Sequence, residues 1–142
     1  MNFIRLVFQK FLLFADSWHA QIFILDLDDS NLLVKVLPIG AFMYRPHALG
    51  MDIADNRVYW TDVSLNSIRR AFINGTSPEV VVSVNVSNPA GLAVDPVGGN
   101  IYWSDTVTKR IEVSRMDGAM RKVLIDKDLD QPRDIVLDTS KG

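Results

Sequence analysis

The segment Asn56-Arg57-Val58-Tyr59-Trp60-Thr61-Asp62 returns forty-three positions later with Asn100-Ile101-Tyr102-Trp103-Ser104-Asp105 at its centre. The same spacing carries Ile68 onto Ile111, Gly75 onto Gly118, Val80 onto Val123, Pro89 onto Pro132 and Asp95 onto Asp138 without a gap, and Gly99 and Gly142 close the two units. Chance does not hold one register over so many positions, so the chain is a repeat array. A period in the forties, with several short apolar runs per unit, is the pattern of β-propeller blades. The reading is all-β, with four-stranded antiparallel blades.

Pro46, Leu49, Met51 and Asp52 recur as Pro89, Leu92, Val94 and Asp95, and again as Pro132, Ile135, Leu137 and Asp138. Proline opens a strand where its missing N–H costs no ladder bond. The run behind it is apolar or alternating, as an inner strand covered on both faces requires. Aspartate then ends it ahead of turn formers, Asp55-Asn56 in one unit and Gly98-Gly99-Asn100 in the next. Strands are predicted at 47–52, 57–62, 67–73 and 79–84, then at 90–95, 100–105, 110–116 and 121–126, with a further inner strand at 133–138. Asn74-Gly75 and Asp117-Gly118 suit tight hairpins that need φ > 0.

Upstream, Phe11-Leu12-Leu13-Phe14-Ala15-Asp16 stands where a degenerate motif strand belongs, with Phe14 on Trp60 and Asp16 on Asp62. Strands at 21–27 and 32–37 follow, joined by the turn Asp28-Asp29-Ser30-Asn31, and 39–45 is a loop carrying a three-residue insertion. The chain divides into a leader at 1–10, a degenerate blade at 11–45, full blades at 46–88 and 89–131, and the start of another at 132–142. Arg5 and Lys10 interrupt the apolar leader and no small-x-small site follows, so it is not read as a signal peptide.

The Tyr-Trp-Thr-Asp core at this spacing resembles the YWTD, or class B, repeats of the low-density lipoprotein receptor family, over residues 11–142. Four further stretches are similar to the Wnt co-receptor branch of the receptor-related proteins. They are Asp55-Asn56-Arg57-Val58-Tyr59-Trp60-Thr61-Asp62-Val63-Ser64-Leu65, Ile68-Arg69-Arg70-Ala71-Phe72-Ile73-Asn74-Gly75, Ile111-Glu112-Val113-Ser114-Arg115-Met116-Asp117-Gly118 with Arg121-Lys122-Val123-Leu124, and Asp128-Leu129-Asp130-Gln131-Pro132-Arg133. The resemblance implies a six-bladed ring needing about 258 residues, of which this chain supplies about half. It implies an extracellular module of a larger plasma-membrane receptor, binding secreted Wnt ligands or their antagonists on one propeller face. Two departures put ligand identity in doubt. Family blades often read Ala-Val-Asp-Trp where this chain has Asp95-Pro96, and an aromatic often follows the outer strand where this chain has Asp126; each removes a potential binding anchor. A lipoprotein- or matrix-binding propeller and a truncated chain without a function of its own stay open as alternatives. An open arc also leaves an apolar blade face bare at each end, which favours association or dependence on further sequence.

Tyr59 and Trp60 point to opposite faces of their strand, so Tyr59, Trp60, Asp62, Tyr102, Trp103 and Asp105 are read as structural: rings packing between blades, carboxylates accepting turn N–H groups. Loops 63–67 and 106–110 share one face with connections 38–46, 84–88 and 127–131, and His47, Arg110, Glu112 and Arg133 are the candidates for presenting charge there. Asn74-Gly75-Thr76 and Asn85-Val86-Ser87 are acceptor triplets for N-glycans at Asn74 and Asn85.

A net charge of −2 argues against a nucleic-acid partner. The pairs Arg69-Arg70 and Arg121-Lys122 read as ordinary solvated surface. The absence of cysteine excludes thiol chemistry, and no apolar run reaches the roughly 18 residues of a membrane span, so no direct membrane contact is expected. The competing class is a propeller hydrolase with carboxylates around a calcium ion. Against it, Asp52, Asp95 and Asp138 recur once per blade, as turns do and a catalytic site does not. His19 and His47 are the only histidines, and no nucleophile elbow is present. The expectation is a binding scaffold, with no catalytic residue, cofactor or metal.

Overall fold

The computed structural model describes residues 10–140, so the predicted leader lies outside the described residues except for Lys10. Three antiparallel meanders follow one another along the chain. The first holds β1 (Phe11–Asp16), β2 (Gln21–Asp26) and β3 (Val34–Val36), and a short 3-10 turn, Gly40–Phe42, leads out of it. The second holds β4 (Pro46–Asp52), β5 (Arg57–Asp62), β6 (Ser67–Phe72) and β7 (Glu79–Val82). The third holds β8 (Pro89–Asp95), β9 (Asn100–Asp105), β10 (Arg110–Arg115) and β11 (Lys122–Ile125). These limits fall within two residues of those predicted for the two full repeats.

Two of the predicted strands differ. Residues 133–138 form no strand. Their counterparts β4 and β8 are zipped onto the motif strands β5 and β9, and no motif strand follows 133–138 among the described residues; a ladder needs a partner. The strand predicted at 32–37 is only three residues long, because Leu32 takes a left-handed φ of 47° and breaks the extended run.

Each position of the Tyr-Trp-Thr-Asp motif has its own physical task. Trp60 turns back into a core with Ile22, Ile24, Leu37, Ile39, Met43, Val58 and Ala71, which seals the first sheet to the second. Tyr59, its neighbour on the other face, turns forward into a core with Ile68, Val82, Leu92, Ile101 and Trp103, which seals the second sheet to the third. Trp103 therefore does for the third sheet what Trp60 does for the second. The third position serves a bulge. Pairing of β4 with β5 slips between Pro46 and Leu49, and that of β8 with β9 slips between Pro89 and Gly91. The displaced amides find the motif hydroxyl instead: Ala48 N donates to Thr61 Oγ1 at 2.9 Å, and Gly91 N to Ser104 Oγ at 3.0 Å. A bulge leaves one residue unpaired, and this hydroxyl satisfies it.

Backbone conformation repeats even where the side chain changes. Asn56 and Gly99, Asn66 and Lys109, Ser77 and Met120, and Asn85 and Asp128 all have positive φ at matched positions. At Gly75 (φ 83°) and Gly118 (φ 90°) the demand is double. A Cβ at either hairpin tip would also run into a carbonyl of the preceding unit, Pro38 O or Val81 O. Only glycine meets both conditions.

The basic pairs are not the free surface that the sequence suggested. The Arg69 guanidinium lies over the Phe42 ring at 4.5 Å and donates to Phe42 O at 3.0 Å. Arg70 reaches the third sheet, donating to Met116 O at 2.8 Å while pairing with Glu79 at 2.5 Å. Arg121 lies over the Trp103 ring at 5.3 Å, pairs with Glu112 at 2.9 Å, and reaches back to Val84 O and Asn85 O of the preceding connection. Flat, weakly hydrated guanidinium groups cover aromatic seams in a way an ammonium does not; Lys122, the fourth member, is exposed as expected.

Glu112 is only 2% exposed, so Arg121→Met leaves a buried carboxylate without its counter-charge. That variant is expected to lose about 3 kcal/mol in urea denaturation, and Glu112→Gln added to it should restore at least half. A midpoint for Arg121→Met equal to wild type would show the ion pair to be dispensable.

The outer faces of the arc are apolar and open. On the first sheet Leu12, Phe14, Val34 and Val36 are exposed, with Phe14 stacked on Phe23. On the third, Tyr102 and Val113 stand half-buried beside exposed Leu124.

Candidate functional site

Asp62 is fully buried at the end of β5. Its carboxylate accepts N–H groups from Ser64 (3.1 Å) and Leu65 (3.0 Å) in its own turn, and from Tyr44 (2.7 Å) and Arg45 (3.2 Å) in the connection arriving from the first sheet. Asp105 repeats every contact one period on, holding Val107 (3.0 Å), Thr108 (3.0 Å), Ser87 (2.7 Å) and Asn88 (3.2 Å). Each aspartate thus ties together the two kinds of loop that build one face of the arc. Asp16 has half of this role: it accepts Trp18 N (2.9 Å) and His19 N (3.0 Å), and the His19 ring hydrogen-bonded to it at 2.7 Å holds its carboxyl below the usual carboxylate range. By contrast Asp52, Asp95 and Asp138 serve local turns only, accepting N–H groups from Ala54, Gly98 and Ser140.

Between these clamped loops lies a concavity of about 450 Å³. Its walls are three sets of repeat-equivalent residues: Arg45, Asn88 and Gln131 before the prolines; His47, Ala90 and Arg133 after them; and Val63 with Thr106, backed by Val107, from the turns. Pro46, Pro89 and Pro132 stand between the first two sets unchanged, and Asp62 and Asp105 clamp Arg45 and Asn88 in the same way, whereas the lining residues differ from unit to unit. Uniform scaffold with divergent lining is what a site for one particular partner needs, because an asymmetric ligand cannot be read by identical side chains.

Of the four candidates from sequence, His47 and Arg133 line this concavity, both exposed. Arg110 opens β10 opposite Asp105 and is half-buried outside the lining. Glu112 lies outside the lining and is buried: it pairs with Trp103 of β9 and is covered by Arg121. Arg45, Asn88, Gln131 and Thr106 went unrecognised in sequence, although aligning the units and asking which positions change chemistry would have found them. Asn74 lies exposed on the β6–β7 hairpin, where its Oδ1 accepts from Thr76 N at 3.0 Å and Thr76 Oγ1 at 2.6 Å. Asn85 is exposed in the connection leading to Asn88. Burial pushes the Tyr59 phenol above its usual range, consistent with a packing role. Among the described residues no helix is long and apolar enough to cross a membrane.

Comparison with known proteins agrees with this geometry. The low-density lipoprotein receptor repeat class B family matches residues 56–96 and 99–139, more than half of the chain. Human low-density lipoprotein receptor-related protein 5 is 45% identical over 81 residues, 57% of this chain and 5% of that protein. Human low-density lipoprotein receptor-related protein 4 is 47% identical over 81 residues, 57% of this chain and 4% of its own length. The chain therefore spans about one-twentieth of these relatives. A chain in the crystal structure of a nidogen/laminin complex superposes with a TM-score of 0.84 at 28% identity, covering 92% of this chain and 49% of that one. Hydrazine synthase from Kuenenia stuttgartiensis, at 14% identity and a TM-score of 0.69, shares the fold alone. The chain belongs to the low-density lipoprotein receptor class B, or YWTD, repeat family and has the β-propeller architecture of that family.

Proposed function

We propose that the chain is a protein-binding module of a receptor-related protein, displayed on the extracellular face of the plasma membrane, that captures secreted Wnt ligands or their antagonists. It is a scaffold and not a catalyst. The observation that carries this reading is the concavity on the clamped-loop face, where repeat-equivalent positions diverge in chemistry while the residues that position them do not. Its volume is within the few hundred cubic ångströms typical of sites that enclose a ligand group. The family resemblance and the similarity to receptor-related proteins 4 and 5 support the choice of partner. A second reading, a propeller for lipoprotein or matrix proteins, is favoured by the superposition on a chain of the nidogen/laminin complex. Asn74 and Asn85 would carry N-glycans in such a setting.

The test is capture from solution. Immobilised chain is expected to retain a purified Wnt or Wnt antagonist, and His47→Glu with Arg133→Glu should weaken retention at least about tenfold, since loss of well-placed interface contacts is worth that much. Lys122→Glu, on the outermost strand, should leave it unchanged. Retention of a lipoprotein or laminin instead would select the second reading, and retention indifferent to the double reversal would move the site elsewhere.

A further inference from the structure

We propose that two copies of this chain close a ring, each laying its third sheet on the other's first sheet and lending residues 133–138 as the inner strand of that sheet. The two seams within the chain show what such a junction needs. Tyr59 and Ile68 of the second sheet are buried because the third sheet covers them, and Val58 and Trp60, on the opposite face, are buried because the first sheet covers those. The residues in the same repeat positions at the ends of the arc are less covered. Tyr102 and Ile111 stand half-buried on the third sheet, with Leu124 and Ile125 exposed on the neighbouring strand. On the first sheet Leu12 and Phe14, in the positions of Val58 and Trp60, are 49% and 37% exposed. Cross-strand register extends that face: Phe14 pairs with Phe23 and Phe23 with Val36, while Leu12 pairs with Leu25 and Leu25 with Val34. All six side chains are apolar, so the face is built like the ones already buried in the seams.

Backbone pairing is unfinished in the same two places. The second and third sheets have four strands and begin with an inner one, β4 or β8; the first has three, and among the described residues β1 is its edge. Residues 133–138 carry the inner-strand pattern of β4 and β8 but form no strand. Their start is nonetheless held beside β8 and β9. Ser104 Oγ donates to Arg133 O, and a Cβ on Gly91 would meet that same carbonyl, much as Gly50 of β4 lies against Val94 of β8. Val136 is 91% exposed, whereas Ala93, in the same position of β8, is 8% exposed. An edge strand and an unpaired segment of strand pattern complete each other by strand addition. Leu49 opposes Trp60 and Leu92 opposes Trp103 in the two full sheets. The same register sets Ile135 of one copy opposite Phe14 of the other, and Leu137 opposite Leu12. Contacts that run head to tail make filaments unless their rotation closes. Here two copies suffice, because one arc covers 49% of the nidogen/laminin-complex chain on which it superposes and two arcs match its length.

Light scattering of the purified full chain at about 50 μM is expected to give twice the 16.0 kDa of one copy. Leu12→Lys sets a charge in the new seam, and Val136→Pro removes a ladder N–H. Both change residues exposed in a single arc, so each should leave the circular dichroism unchanged while weakening dimerisation at least about tenfold. The chain has no cysteine, which lets disulfide trapping read the register. A mixture of Leu12→Cys chains and Leu137→Cys chains should cross-link one of each under mild oxidation. With Val136→Cys in place of Leu137→Cys the rate should fall at least about tenfold, since successive side chains point to opposite faces. A monomer at that concentration, the result if other residues of the same chain cover these faces, overturns the proposal. So do polymers longer than two, a dimer indifferent to both Leu12→Lys and Val136→Pro, or Leu12→Cys chains that cross-link to each other as fast as to Leu137→Cys chains.

Discussion

Trp60→Ala is expected to cost about 3–5 kcal/mol of stability, as for other large aromatic truncations in cores. The ring is completely buried at the seam between the first and second sheets, where eight buried residues meet. Its Nε1 has no hydrogen-bond partner among the described residues, so the substitution deletes apolar contact and opens a cavity without breaking a polar link. In stacked repeats each unit is stabilised chiefly by its neighbours. The damage should therefore be local: amide hydrogen exchange would speed up first in β1–β3, while β8–β11, held by the second seam around Tyr59 and Trp103, stays protected. Trp60→Phe should lose less than half as much, because most of the apolar surface remains. A loss under 1 kcal/mol in urea denaturation, or uniform deprotection of all three sheets, would contradict the assignment of this ring as the seal of one seam.

That partition explains why the fold was legible and the site only partly so. The scaffold repeats, and a repeat is readable because each position answers the same physical demand again. Tyr59 and Trp60 had to face opposite ways on a strand, and they enter opposite cores. Gly75 and Gly118 had to take left-handed φ, and they do. What failed depended on partners outside the repeat's own grammar. Residues 133–138 carry an inner-strand pattern but have no strand to pair with among those described. Arg69, Arg70 and Arg121 looked like surface because a linear pattern of charge does not reveal that Phe42, Met116 O and Trp103 wait across a seam. Glu112 looked available to a ligand for the same reason. His47 and Arg133 were visible as charged residues just past the connections of one face, whereas Arg45, Asn88 and Gln131 sit in loops where polar residues are ordinary, and only their common register marks them. Half of the aspartate clamp was foreseen, the half within its own turn. The other half crosses from the preceding unit, a separation of 17 or 18 residues that no local motif encodes.

Asp105→Ala is expected to cost about 3–4 kcal/mol, taking roughly 1 kcal/mol for each of four amides that lose a charged acceptor and do not all regain water. The carboxylate is 1% exposed, and the amides it holds, of Ser87, Asn88, Val107 and Thr108, belong to two segments otherwise joined here through Asn88 and Thr106, by Thr106 N donating to Asn88 O at 3.1 Å and by their side chains. Asp105→Asn keeps one acceptor oxygen but sets an NH₂ group against N–H donors, so it should recover less than half of the loss. If asparagine were as stable as wild type, the negative charge would be irrelevant and one acceptor would suffice. The clamp also sets the distance between Asn88 and Thr106, whose side chains meet at 2.6 Å in the lining of the concavity. Faster exchange at the amides of 87, 88, 107 and 108 in Asp105→Ala should therefore accompany a fall in ligand retention at temperatures where the variant is still folded. Asp52→Ala, which frees only the turn amides of Ala54 and Asp55 on a different loop, should destabilise less and leave retention intact. Equal effects of the two substitutions on retention would sever the link between the clamp and the binding face, because a general loss of stability, and not the position of two loops, would then account for both.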